Sequence, residues 1–166
     1  MIFNDKNDRP FEVRGFRRED FSLLADMYRV FSPKGKFQGL PPADKEDCEK
    51  WIKRLIQDGE NFLALREGSV IGHVAFLPDF ERSDAEYLIF VDQYNRGLGV
   101  GTALTQTALK KSGEIGLKII WLTVDAYNTR ATKLYVKCGF KFNTGYKCKS
   151  ERMMLYHCRM NNYVSG

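Results

Sequence analysis

Residues 90–102 read FVDQYNRGLGVGT, a short apolar run that passes through alternating glycines into a stretch with helical spacing. This order predicts a β-strand, a glycine-rich turn and the start of a helix. The first backbone N–H groups of a helix have no partner within it, and the helix dipole adds about half a positive charge there. Phosphate groups bind at such helix ends, and glycines let them approach the main chain closely. The segment therefore predicts a site for a phosphate-bearing ligand.

Two common phosphate-binding motifs do not fit this loop. A P-loop requires a Lys-Ser or Lys-Thr pair after its glycines, and the sequence has none at that point. A dinucleotide-binding fingerprint requires glycine or alanine three residues after its second glycine, where this chain has Thr102 or Leu104, depending on the register. The pattern that remains is Arg96-Gly97-Leu98-Gly99-Val100-Gly101.

The composition predicts one globular domain over residues 1–166. Of these residues 43% are hydrophobic and 28% are charged, values typical of a folded chain. The net charge of +5 suits an anionic ligand, but the chain lacks the basic blocks typical of nucleic-acid arms, so we expect no nucleic-acid partner. No apolar run is long enough for a membrane span, the first twenty residues are too charged for a secretory leader, and the four cysteines show no CxxC spacing. We therefore expect a cytoplasmic protein with reduced thiols.

Apolar spacing and turn residues predict a mixed α/β domain in the order β-α-α-β-β-β-α-β-α-β-β. Predicted strands cover residues 11–16, 61–66, 70–77, 85–91, 118–124, 140–147 and 152–160. Predicted helices cover residues 20–31, 44–59, 102–112 and 129–137, with a loop over residues 32–43. Pro78 and Asp79 are expected to end a strand, and Gly59 to cap a helix.

A second motif, N-x-x-A-x-x-L-Y-x-x-x-G-F, runs from Asn128 to Phe140. Together with the glycine loop it resembles the GNAT superfamily of acetyl-CoA-dependent N-acetyltransferases. The resemblance is close over residues 70–140 and looser on either side. It implies a GNAT-like, mostly antiparallel β-sheet that contains one splayed parallel strand pair and is flanked by about four helices.

The resemblance also implies acetyl-CoA as cosubstrate and assigns the residues that bind it. Backbone amides of the loop would bind the diphosphate; the loop residues are Arg96, Gly97, Leu98, Gly99, Val100, Gly101 and Thr102. The backbone of Phe90 and Val91 would pair with the pantetheine arm, and Asn128 would contact the cofactor near that arm. Many members have proline and an acidic residue where this chain has Gln93 and Tyr94. No metal is expected, because His157 and Cys158 lack the spacing of a zinc site.

The resemblance places Tyr135 beside the thioester sulfur, where its phenol would donate a proton or a hydrogen bond to the departing thiolate. The alternative interpretation is a core tyrosine. A lysine-like amine must lose a proton before it attacks, at a cost of about 4.6 kcal/mol at pH 7. Glu86 is the candidate base, directly or through water, although a solvated carboxylate would fit the same position. His73 is a second candidate base, or else a structural histidine.

The leading hypothesis is direct transfer of acetyl from acetyl-CoA to a primary amine in a ternary complex. The alternative is a CoA-binding sensor or regulatory module without turnover. The segment 32–43 and the tail after Tyr146 are expected to border the acceptor pocket. Their side chains do not distinguish a small-molecule acceptor from a peptide. The sequence likewise does not distinguish a monomer from a homodimer.

Overall fold

The computed structural model describes residues 1–35 and 39–158. Within them the strands are β1 (Ile2–Asn4), β2 (Pro10–Gly15), β3 (Glu60–Arg66), β4 (Ser69–Asp79), β5 (Asp84–Val91), β6 (Ile119–Asp125), β7 (Lys141–Phe142) and β8 (Glu151–His157). The helices are α1 (Phe21–Val30), α2 (Lys45–Asp58), α3 (Val100–Glu114) and α4 (Thr129–Lys137), with short 3₁₀ turns at Arg18–Asp20 and Gln93–Asn95. No helix in this part of the chain is long and apolar enough to span a bilayer.

All eight strands form one sheet, in the order β1-β2-β3-β4-β5-β6-β8-β7. Every neighbouring pair is antiparallel except β5 and β6, which run parallel. The predicted fold is therefore confirmed: a mixed, mostly antiparallel sheet that contains one parallel pair and is flanked by four helices.

Helices cover both faces of the sheet, and each face has its own core. On one face α3 packs so closely that a Cβ added at Gly72 would lie 2.8 Å from Leu104 Cδ1. This core includes Val74, Tyr87 and Leu122. On the other face α1 and α2 enclose an aromatic cluster; its rings belong to Tyr28, Phe31, Trp51 and Phe90. Adjacent residues of β5 therefore face different cores.

Local sequence signals account for most element boundaries. The Asp44 side chain accepts a hydrogen bond from the Asp47 N–H at 3.0 Å, and so caps α2. The predicted hairpin between β3 and β4 is confirmed, with its turn at Glu67 and Gly68 in left-handed conformations. All four cysteines are free thiols.

Several sequence-based boundaries were wrong. β1 was missed, α3 begins at Val100 rather than residue 102, and the strand predicted over residues 140–147 is only Lys141–Phe142. Pro78 does not end β4. The last β4 residue that pairs with β3 is Phe76, so at Pro78 the strand has no partner on that side, and a proline without an N–H is tolerated there. Gly59 follows α2 as predicted but is extended (φ −128°) rather than left-handed. Residues 36–38 of the predicted loop and 159–160 of the last predicted strand lie outside the described residues.

Candidate active site

A wedge-shaped gap opens between β5 and β6. The two strands pair only at Asp84↔Ile119, Ala85↔Ile120 and Glu86↔Trp121. Beyond Glu86, β5 stays paired with β4 and β6 stays paired with β8, so each strand keeps one backbone edge without a strand partner. Such an edge can pair with an extended ligand that carries amide groups. The splayed pair that the family resemblance implied is present.

The glycine loop lies at the open end of this gap, between β5 and α3. Gly97 has φ +77° and Gly99 has φ +100°, backbone conformations that favour glycine. A Cβ added at either position would meet no heavy atom within 4 Å, so the loop surface is open at both. No backbone N–H of residues 96–102 hydrogen-bonds to another described residue. These donors and the dipole of α3 favour an anion at this point.

Not every loop side chain faces this surface. Val100 is fully buried against β4, and Thr102 lies half-buried in the first turn of α3, so the backbone is the binding element at Val100. The Arg96 guanidinium turns inward, 5.0 Å from the Phe31 ring, and donates from Nε to the Val91 carbonyl at 2.9 Å. Sequence reasoning assigned the Val91 backbone to the pantetheine arm, yet its carbonyl already accepts this hydrogen bond. Burial, together with the nearby Arg130, lowers the pKa of Arg96.

Gln93 and Arg96 connect the glycine loop to the end of α1. The Gln93 amide accepts from the Ser32 N–H at 3.1 Å and donates to the Val30 carbonyl at 2.9 Å. Arg96 donates a further hydrogen bond to the Ser32 carbonyl. The sequence marked Gln93 only as a departure from the family pattern, and nothing in its spacing revealed this contact with α1.

Tyr135 lies on α4 with its ring buried among other aromatic side chains. Its centroid is 6.1 Å from that of Tyr87, in an edge-on arrangement, and 5.7 Å from that of Phe140. No buried side-chain oxygen or nitrogen in the described residues lacks a hydrogen-bond partner. No described residue hydrogen-bonds to the Tyr135 hydroxyl, so its oxygen is not fully buried and must face open space. Burial raises the pKa of this phenol, which keeps it protonated as a donor.

Glu86 lies at the closed end of the gap, as the last β5 residue paired with β6. It shares the α1 side of the sheet with Leu88 and Phe90, whereas Tyr87 faces Tyr135 on the α3 side. Sequence alternation had left this choice of face open. Burial of the half-buried carboxyl raises its pKa, which makes Glu86 a stronger base than a solvated glutamate. The structure thus brings Glu86 and Tyr135 to opposite faces of one strand.

His73 is enclosed on the α1 side of β4. The Asn61 amide donates to the Leu55 and Gly59 carbonyls at 2.8 and 2.7 Å, so its oxygen accepts from His73 Nε2 at 2.9 Å. The other ring nitrogen, Nδ1, accepts from the Tyr28 hydroxyl at 2.7 Å. Burial lowers the pKa of His73 to about 3. Both ring nitrogens therefore already form hydrogen bonds within the protein, which favours a structural histidine over a base.

Asn128 begins α4 as its N-cap, accepting from the Ala131 N–H at 3.1 Å. Its amide nitrogen donates to no described residue and remains a donor for a ligand. Phe90 is buried in the aromatic cluster, so only its backbone can meet the gap.

Comparisons with known proteins agree on one family, the acetyltransferases. Residues 24–140 match the acetyltransferase (GNAT) family. A mycothiol acetyltransferase of Sanguibacter keddieii is 30% identical over 138 residues, which are 77% of this chain and 42% of that protein. An uncharacterized N-acetyltransferase of Methanocaldococcus jannaschii is 32% identical over 140 residues, covering 80% of this chain and 62% of that protein. The chain therefore spans about half the length of these relatives.

The fold has close structural counterparts. The GNAT domain of S. lividans PAT superposes with a TM-score of 0.82, covering 95% of this chain and 96% of that domain at 16% identity. This likeness shows a common fold, and the family match includes the glycine loop and the Asn128–Phe140 motif. The chain belongs to the acetyltransferase (GNAT) family.

Proposed function

We propose that the protein transfers the acetyl group of acetyl-CoA directly to a primary amine. The observation that carries this proposal is the gap between β5 and β6, with the glycine loop at its open end. A diphosphate suits the free N–H donors of the loop, and a chain of amides suits the unpaired strand edges. Membership of a family that uses acetyl-CoA supports the same donor.

The binding assignments follow from which atoms remain free. Backbone N–H groups of residues 97–102 bind the diphosphate, while Arg96 supports the loop from within. The backbone of β5 near Phe90 and the Asn128 amide nitrogen bind the pantetheine arm. Open space beside Gly97 and Gly99 supports this assignment, because a Cβ at either position would occupy the surface that the phosphates approach.

Glu86 and Tyr135 supply the proton transfers of the reaction. Glu86 accepts a proton from the ammonium of the acceptor, directly or through one water, and so leaves a free amine. The amine nitrogen bonds to the thioester carbonyl carbon, the carbon–sulfur bond breaks with its electron pair on sulfur, and the nitrogen loses its second proton to water as the amide forms. The Tyr135 phenol donates to that thiolate, by full proton transfer or by a hydrogen bond. Alignment of donor and acceptor makes a covalent enzyme intermediate unnecessary.

The choice of base depends on burial and solvent access. Glu86 is half-buried and retains access to a substrate, whereas His73 is fully buried with both ring nitrogens bonded. Glu86 also has a pKa raised towards the working pH, which suits a general base. These observations favour Glu86 over His73.

A coupled assay tests the proposal. The purified chain is incubated with acetyl-CoA and a panel of amines that includes lysine, polyamines, amino acids and peptides, and thiol release is followed. We expect amine-dependent thiol release and an acetylated product by mass spectrometry. Calorimetry with CoA is run in parallel, because CoA binding without release on any amine would indicate a sensor. Absence of CoA binding at millimolar concentration would overturn the cosubstrate assignment.

A further inference from the structure

The turn between β1 and β2, residues 5–9, lies against the glycine loop. The Lys6 N–H donates to the Leu98 carbonyl at 3.0 Å. Leu98 stands between the two left-handed glycines, at the centre of the candidate diphosphate site. The N-terminal hairpin is thus in direct contact with the main chain that would bind the cosubstrate.

This contact fixes the direction of a loop donor. In a trans peptide the C=O and the following N–H point in opposite directions. Because the Leu98 carbonyl is held towards Lys6, the Gly99 N–H points away from the hairpin, out of the side of the loop opposite Lys6. Gly99 is free to rotate for lack of a side chain, so an external contact that orients its N–H reduces the ordering needed when a ligand binds.

The hairpin turn is itself anchored by a buried carboxylate. Asp5 Oδ1 accepts from the N–H groups of Asn7 at 2.8 Å and Arg9 at 3.1 Å, which closes the turn. Asp5 Oδ2 accepts from Arg66 at 2.7 Å, and the Asp5 side chain has no exposed surface. A buried carboxylate with this many donors holds one geometry.

Arg66 extends this anchor to the segment that enters the loop. Its second terminal nitrogen donates to Asn95 Oδ1 at 2.9 Å, and Asn95 donates from Nδ2 to Asp92 at 2.7 Å. Asp92 and Asn95 bracket the 3₁₀ turn between β5 and the first glycine. A continuous hydrogen-bonded chain therefore runs from Asp5 through Arg66 and Asn95 to Asp92.

We propose that Asp5, Arg66 and Asn95 are positioning residues for the donor substrate: they hold the glycine loop in its phosphate-binding conformation before acetyl-CoA arrives. The inference rests on the proposed function, since it concerns the diphosphate site of that activity. The three residues act through the loop backbone and do not touch the reacting atoms. Their removal is expected to weaken donor binding and to leave the chemical step unchanged.

The test compares two acetyl donors. Asn95→Ala and Arg66→Met are assayed with acetyl-CoA and with S-acetylpantetheine, which carries the same thioester but no diphosphate. We expect each variant to raise the KM for acetyl-CoA about tenfold, with kcat within a factor of about two. The KM for S-acetylpantetheine should stay at the wild-type value, because that donor does not reach the loop.

Arg14→Met provides the matched control. Arg14 also forms an ion pair with a buried aspartate, Asp20, at 2.6 Å, but it has no contact with the loop. This variant should lose thermal stability as Arg66→Met does while keeping the wild-type KM for acetyl-CoA. Equal KM changes for both donors, or none for either, would overturn the inference. Failure of the proposed function is seen separately, in wild-type protein that binds no CoA, and it would overturn both.

Discussion

Replacement of Gly99 by alanine tests the glycine loop most directly. Gly99 has φ +100° and ψ −10°, a conformation that costs an alanine about 1–2 kcal/mol. An added Cβ would meet no heavy atom within 4 Å, so this backbone cost is the whole penalty in the free protein. For a chain of this size we expect the melting temperature to fall by about 2–8 °C.

Donor binding should suffer more than stability. The variant relieves its backbone by rotating the peptide that carries the Gly99 N–H, which moves that donor away from the diphosphate. One hydrogen bond to a charged group contributes about 1.5–3 kcal/mol. The KM for acetyl-CoA and the Kd for CoA should therefore rise about 10- to 150-fold. We expect little change in kcat, because Glu86 lies at the opposite end of the gap.

Gly116→Ala separates backbone cost from ligand binding. Gly116 lies just beyond the other end of α3, also with a left-handed φ (+85°) and with nothing within 4 Å of an added Cβ. It should lose a similar amount of stability and keep the wild-type KM. Thiol release at varied acetyl-CoA, CoA calorimetry and thermal unfolding are measured for both variants. The same KM change in both, or wild-type CoA affinity in Gly99→Ala, would refute the role given to the loop.

Three further changes test the chemistry and the buried network. Tyr135→Phe should lower kcat about 100-fold with unchanged CoA affinity in calorimetry, and unchanged kcat would remove its role as donor. Glu86→Gln should lower kcat/KM and abolish the acidic limb of the pH–rate profile, which in wild type lies above the ordinary carboxyl pKa because burial raises the pKa of Glu86. His73 has a folded-state pKa of about 3, so below about pH 6.5 the unfolded chain binds a proton that the folded chain does not. The free energy of unfolding therefore decreases by about 1.4 kcal/mol for each unit by which the pH is lowered below about 6.5. Urea unfolding at pH 7 and pH 5 should show this loss in wild type but not in His73→Gln, and equal losses would contradict it.

The parts of the fold that the sequence predicted are those with local signals. Alternating apolar residues and a tight turn indicated β3 and β4, and the Asp44 cap indicated the start of α2. The glycine pattern placed a strand, loop and helix in the order observed. The spacing from Asn128 to Phe140 indicated α4, and the family resemblance of that motif implied Tyr135 as the candidate donor. Each of these signals depends on residues close together in the chain.

The parts that the sequence did not predict depend on contacts between distant residues. β1 has only three residues, too few for a periodic pattern, and is held by pairing with β2. The face of Glu86 was undecided because helices cover both sides of β5 and both sets of side chains are therefore apolar. The inward turn of Arg96 depends on the position of Phe31, 65 residues earlier in the chain.

The link from Gln93 and Arg96 to the end of α1 has a consequence for protein engineering. Its hydrogen bonds to α1 end on main-chain atoms, the Val30 carbonyl and the N–H and carbonyl of Ser32. Main-chain partners survive a change of side chain, so the connecting segment after Pro33 can be exchanged while its junction with the donor site is retained. Loop libraries can therefore begin after Pro33 without redesign of the candidate donor site.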